Sequence, residues 1–228
     1  MKDPKTIAKL HLQITSCTRC PRLVEWRESI AKEKVARFRD WEYWGKPIPG
    51  FGDTKARLLI VGLAPAAHGG NRTGRIFTGD RSGDWLFKAL HKFGFASQPE
   101  SISKRDGQRL KDCYITAAVR CAPPQNKPTL QEIHDCRPYL LRELQLLNNV
   151  KVVIGLGRIA CDAVLQSFHA LGLAEKKRLD FGHGNVISLN KDQTLITSFH
   201  PSQQNTFTKR LTEPMFDGVF KKAKGILQ

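Results

Sequence analysis

Six cysteines are spread along 228 residues, and four of them are spaced to share a ligand. Cys17 and Cys20 flank Thr18-Arg19, and thiolates at that spacing can meet one metal centre while the intervening amides face the sulfurs. Cys121 and Cys136 lie on either side of Ala122-Pro123-Pro124-Gln125-Asn126-Lys127-Pro128, a loop long enough to fold back and bring the two sulfurs together. Four thiolates suit structural zinc and an iron–sulfur cluster equally, and spacing does not separate them. Cys113 and Cys161 sit in apolar runs and read as small core residues. In a reducing compartment such cysteines bind metal or stay buried; they do not pair as disulfides.

Two further stretches carry chemistry. The first runs Gly62-Leu63-Ala64-Pro65-Ala66-Ala67-His68-Gly69-Gly70-Asn71-Arg72-Thr73-Gly74-Arg75-Ile76-Phe77-Thr78-Gly79-Asp80. Its small residues let backbone approach a ligand closely, Arg72 and Arg75 could neutralise phosphates, and Phe77 offers a flat face to a base. Asp80 could act in the same site or cap a helix starting near Ser82. The second is His200-Pro201-Ser202-Gln203-Gln204-Asn205, where the imidazole could polarise a substrate atom or simply satisfy a structural hydrogen bond.

The elements that must position these residues follow from periodicity. Short apolar runs at 57–63, 113–119, 150–156 and 194–199 predict strands, three of them unbroken enough to be buried on both faces. Apolar spacing predicts helices over 84–93, 129–147 and 157–171, the second opened by a Thr129-Leu130-Gln131-Glu132 capping box. Strands alternating with helices predict an α/β fold, a three-layer α/β/α arrangement around a mostly four-stranded parallel sheet. Ligands collect at the carboxyl ends of such strands, so the site is expected just after Leu63, Val119, Leu156 and Phe199. Residues 1–56 read as an extension of one domain spanning 1–228. They carry an amphipathic helix, the first Cys pair and an aromatic, Pro-rich stretch at 41–52, of which Trp41 to Trp44 is either core or a DNA-stacking surface.

With 37 Lys and Arg against 21 Asp and Glu, the formal charge is +16, a field that attracts polyanions. Apolar residues make up 40%, and no run of eighteen predicts a membrane span. The opening Met1-Lys2-Asp3-Pro4-Lys5 lacks the apolar core of a secretion signal, so a cytoplasmic location, or a nuclear one where a nucleus exists, is expected.

Taken together, the two strand-end motifs and the Cys spacing closely resemble family-five uracil-DNA glycosylases, from Cys17 to about Phe220. The resemblance implies a [4Fe–4S] cluster on Cys17, Cys20, Cys121 and Cys136, with zinc as the alternative. It implies that Phe77 stacks on an everted base, that Leu63 and Ala64 offer backbone groups to its edge, and that His200 faces its O2. The loop at 200–205, with Ser202, Gln203 and Asn205, would enter the DNA, and Arg72, Arg75, Lys209 and Arg210 would meet phosphates. Most superfamily members carry Asp, Glu or Asn where this chain has Leu63 and Ala64, and a neighbouring family has Asn in place of Ala117. The water-positioning group then falls to Asn71, Asp80 or the substrate's own phosphates, and base selectivity is expected to be relaxed, extending to hypoxanthine. The implied activity is monofunctional excision of uracil and other deaminated bases from double-stranded and single-stranded DNA by a monomer. A non-catalytic, metal-containing nucleic-acid binder is the alternative.

Overall fold

A computed structural model describes residues 4–175 and 178–228, leaving Met1, Lys2 and Asp3 of the opening segment outside the described residues. All four expected strands form: β2 (Leu58–Gly62), β3 (Cys113–Ala117), β4 (Val152–Leu156) and β6 (Thr194–Ser198) pair in parallel. Two short strands extend the sheet to six in the order β1-β3-β2-β4-β6-β5. These are β1 (Phe51–Gly52) and β5 (Val186–Ser188), each antiparallel to its neighbour. Neither has a sequence signal, because β1 is two residues long and β5 is a largely exposed edge.

Side-chain alternation splits the apolar strands between two cores. Leu58 and Ile60 of β2 face α4 (Arg81–Lys92) and α8 (Glu213–Leu227), while Leu59 and Val61 face α5 (Leu130–Leu146) and α6 (Arg158–Ala170). The capping box on α5 is complete: Thr129 Oγ1 accepts from Glu132 N–H, and the Glu132 carboxylate accepts from Thr129 N–H. That carboxylate also pairs with Arg22 at 2.7 Å, tying α2 (Pro21–Glu33) to the start of α5.

A third apolar cluster joins Leu10 and Ile14 of α1 (Ile7–Thr15) and Leu23 of α2 to Val119, Cys136 and Tyr139. The amino-terminal helices therefore share a core with α5. Behind it lies a buried polar knot: the Arg120 guanidinium donates to both Glu143 oxygens, at 3.2 and 2.5 Å, and to Thr116 Oγ1. Arg120 is 2% exposed and Glu143 fully buried, so each charge depends on the other. Trp44 packs against the α4/α8 core, and Trp41 against Arg72, so the aromatic stretch is used inside the fold.

Candidate active site and cysteine centre

The loop leaving β2 turns through α3 (Gly70–Thr73) and returns Phe77 to the strand it left. A Cβ on Gly62, the last residue of β2, would lie 2.6 Å from the Phe77 ring, and one on Gly83 would strike the Phe77 carbonyl. Both glycines are needed for the ring to sit on the end of the strand. Phe77 itself holds φ at +52°, in a region non-glycine residues seldom adopt, and is 5% exposed. Backbone strain of this kind collects at functional sites.

His200 meets it from the end of β6. The two rings are nearly parallel, 28° apart, with centroids 6.0 Å from each other. Gly157, at the end of β4, comes close enough that a Cβ would lie 3.4 Å from that of His200. Asn205 Nδ2 donates to the His200 carbonyl at 2.9 Å and fixes the turn. Burial pushes the His200 pKa down to about 4, so the imidazole is neutral at pH 7 and keeps one N–H to donate. Ser202 caps the short helix α7 (Gln203–Phe207) by accepting from Asn205 N–H, and Gln203 is exposed at its start.

Phe199, next to His200, is set by a residue the sequence did not single out. His183 Nδ1 accepts the Phe199 N–H at 3.1 Å, and Nε2 donates to the Met215 carbonyl at 3.0 Å, which fixes the neutral tautomer. No spacing signal links His183 to β6.

Asp80 is both a cap and a site neighbour. One carboxylate oxygen accepts from Gly83 N–H at 3.0 Å to start α4, and the other packs on Gly69, where only a glycine fits. Burial raises its pKa. The Leu63 carbonyl accepts from Val119 N–H at 2.9 Å, and Ala64 packs on the apolar cluster around the cysteines. Asn71 is 1% exposed and reaches away to α2, where its Nδ2 donates to the Arg27 carbonyl at 3.1 Å; its Oδ1 has no partner among the described residues.

The structure corrects the expectation that Arg72 and Arg75 meet phosphate, because both are buried and already partnered. The Arg72 guanidinium packs on the Phe38 and Trp41 rings, 3.8 and 4.1 Å from their centroids, and donates to the His68 and Gly79 carbonyls. Arg75 pairs with Asp106 at 2.5 Å and donates to Thr78 and Ser101. A sequence shows the cations but not the distant groups that claim them.

Lys209 and Arg210 are exposed beside the site, with the Arg210 guanidinium 4.8 Å over Phe199. Two exposed arginines missed by the sequence reading stand at the same sheet edge. Arg158 opens α6 directly after Gly157, and Arg81 opens α4 with its guanidinium 4.5 Å from the exposed Phe207 ring.

On the other side of the β2 loop, Cys17, Cys20, Cys121 and Cys136 line one small pocket, walled by Leu23, Val24 and Val119. Arg27 Nη1 donates to Cys121 Sγ at 3.2 Å, and the Arg120 backbone N–H donates to Cys136 Sγ at 3.3 Å. Among the described residues, no three Cys, His, Asp or Glu side chains converge as ligands of a single ion. Burial pushes the Cys136 thiol up to about 12 and the Cys20 thiol to about 11, so ligation must displace protons. Cys113 and Cys161 are buried away from this centre.

The family profile described as the uracil DNA glycosylase superfamily matches residues 49–224. The chain belongs to the uracil-DNA glycosylase superfamily. Its curated relatives include the type-5 uracil-DNA glycosylase of Thermus thermophilus, 51% identical over 92% of this chain and 94% of the relative. That of Mycobacterium tuberculosis is 48% identical over 96% of this chain and 81% of the relative, and that of Pyrobaculum aerophilum is 43% identical over 92% and 89%. The superfamily match contains the Phe77–His200 site with Cys121 and Cys136, while Cys17 and Cys20 precede it. Among the described residues, no helix is long and apolar enough to cross a membrane.

Proposed function

We propose that this chain excises uracil from DNA by hydrolysing the N-glycosidic bond. The observation that carries the reading is the meeting of Phe77 and a neutral His200 at the carboxyl edge of the parallel sheet. An everted base stacks on Phe77, and backbone groups of Leu63 and Ala64 meet its edge. Eversion costs a few kcal/mol of unstacking and is easiest at a mispair.

As the bond lengthens, negative charge gathers on the leaving base and positive charge on the sugar. A neutral imidazole aimed at the base oxygen stabilises that anion without giving up its proton, and removing one such donor typically costs about 2.7–4 kcal/mol. The Asp80 oxygen that does not cap α4 is our choice to orient water. Asn71 is held toward α2 and acts on the loop's position. Lys209, Arg210, Arg81 and Arg158 meet phosphates around the site while the 200–205 loop fills the space the base has left.

The cysteine centre holds a [4Fe–4S] cluster in this reading. Four sulfurs around one apolar cavity, with N–H donors on two of them, fit such a group. The cluster braces α1, α2 and α5 against the β2 loop; the chemical step belongs to the other site. The whole chain acts as one domain, as a monomer, in the cytoplasm where the DNA is.

The test is to incubate the purified chain with matched duplexes carrying one uracil or one thymine, and to measure free base by mass spectrometry. Release of uracil alone supports the proposal. Tight binding of the uracil duplex with no base released returns the reading to a non-catalytic binder.

A further inference from the structure

We infer that Arg27 is the buried counter-ion of the cysteine centre and the strut that ties that centre to the base-binding loop. This rests on the reading that the four cysteines hold an anionic cluster. The Arg27 side chain is 4% exposed, and a buried guanidinium is costly unless an anion answers it. Two other buried arginines are answered by carboxylates, Arg120 by Glu143 and Arg75 by Asp106, and a third, Arg72, by two aromatic rings. Among the described residues the one carboxylate paired with Arg27 is Glu28, at 3.4 Å on an outward-facing, 61% exposed side chain, and its Nε finds no partner there. Its Nη1 instead donates to Cys121 Sγ at 3.2 Å and to the Cys17 carbonyl at 3.3 Å. It thus touches one cysteine from each half of the centre. Thiolates ligating a cluster supply the negative charge that the protein alone does not.

The backbone of the same residue faces the other way. The Arg27 carbonyl accepts from Asn71 Nδ2, and Asn71 lies in α3, within the loop that carries Phe77. One residue therefore bonds the cysteine centre with its side chain and the active-site loop with its backbone. Loss of the cluster frees α2, and with it the anchor of the loop that places Phe77. Arg27 is a positioning residue: nothing in its contacts reaches the base.

The experiment compares full-length wild type with R27Q, R27K and N71A. Measured are iron and sulfide per chain, iron loss to a chelator, the midpoint potential of the cluster, far-ultraviolet circular dichroism, and kcat and KM on a uracil duplex. R27Q removes the charge and is expected to lose iron about 10- to 100-fold more readily, the usual effect of deleting a group that supports metal ligands. Its midpoint potential falls, because the more negative reduced cluster loses its counter-ion. R27K keeps the charge and stays near wild type in both. N71A keeps its iron and potential and raises KM, because only the loop anchor is cut. Folded R27Q with wild-type iron retention and potential overturns the inference, as does N71A losing iron like R27Q. If R27Q does not fold, R27K decides: retained iron supports the counter-ion role, and iron lost about tenfold faster overturns it. Wild type that carries neither iron nor sulfide overturns the cluster reading itself, a result distinct from every variant outcome.

Discussion

Replacing Gly62 by Ala changes one atom at the end of β2 and no residue assigned to the chemistry. The new Cβ would lie 2.6 Å from Phe77 Cζ and 2.7 Å from Cε2. Ordinary carbon contacts lie at about 3.5–4.0 Å, so the ring must retreat by about 1 Å. It has little room, since His200 stacks nearby and Gly83 seals the Phe77 carbonyl from beneath. Overpacking of this kind costs about 1–3 kcal/mol in stability. A misplacement of about 1 Å at a reacting centre costs about 100-fold in rate. Single-turnover excision on a uracil duplex should therefore slow by about 100-fold in G62A, with iron content unchanged. A double-mutant cycle locates the cause. In an F77A background the same glycine substitution should cost almost nothing, because the group it strikes is gone. A G62A chain within a few-fold of the wild-type rate, or strictly additive penalties in the cycle, would refute the placement of Phe77.

Three other outcomes follow from the same geometry. The unfolded chain takes up a proton on His200 as pH falls below 6.5, whereas the folded chain refuses it until about 4, so wild type loses stability across that window, by about 3 kcal/mol in all. Denaturant titrations at pH 7 and pH 4.5 should show a smaller acid loss in H200N, and an equal loss in both chains would count against the half-buried, neutral imidazole. Glu143→Ala strips the buried Arg120 of its carboxylate and should destabilise the fold by about 3–5 kcal/mol in urea unfolding, far more than removal of a surface charge. Substituting Arg158 or Arg210 should weaken duplex binding on any sequence and reduce the slope of log K against log salt by about one, measured by fluorescence anisotropy. Arg75→Gln should leave that slope unchanged, because Asp106 already holds the cation inside the protein.

Much of this architecture is legible in the residues themselves. The four parallel strands announce themselves because burial on both faces demands unbroken apolar runs, and Thr129 with Glu132 marks the start of α5 by a reciprocal hydrogen bond that needs only local sequence. The strand-end rule points to the loops after β2 and β6, while the return of Phe77 onto Gly62 beside His200 comes from the packing of those loops. What stayed hidden depends on partners far apart in the chain. Arg72 and Arg75 look like free cations until the aromatic pair at Phe38 and Trp41 and the carboxylate at Asp106 are seen to enclose them. His183 is a lone histidine until β5 and β6 bring it under Phe199. Asn71 reads as a site residue from its motif, and only the packing of α2 on α3 turns its amide toward Arg27. Helix α8 carries local start signals in Thr212, Glu213 and Pro214.

The most direct measurement is single-turnover release of free uracil from a duplex by wild type, H200A and D80N at neutral pH. Leaving-group stabilisation by the neutral imidazole predicts that H200A slows by about 100- to 1,000-fold, the cost of one lost donor to a developing anion. Full excision by H200A, with D80N inactive, would contradict it and move the chemistry to the carboxylate.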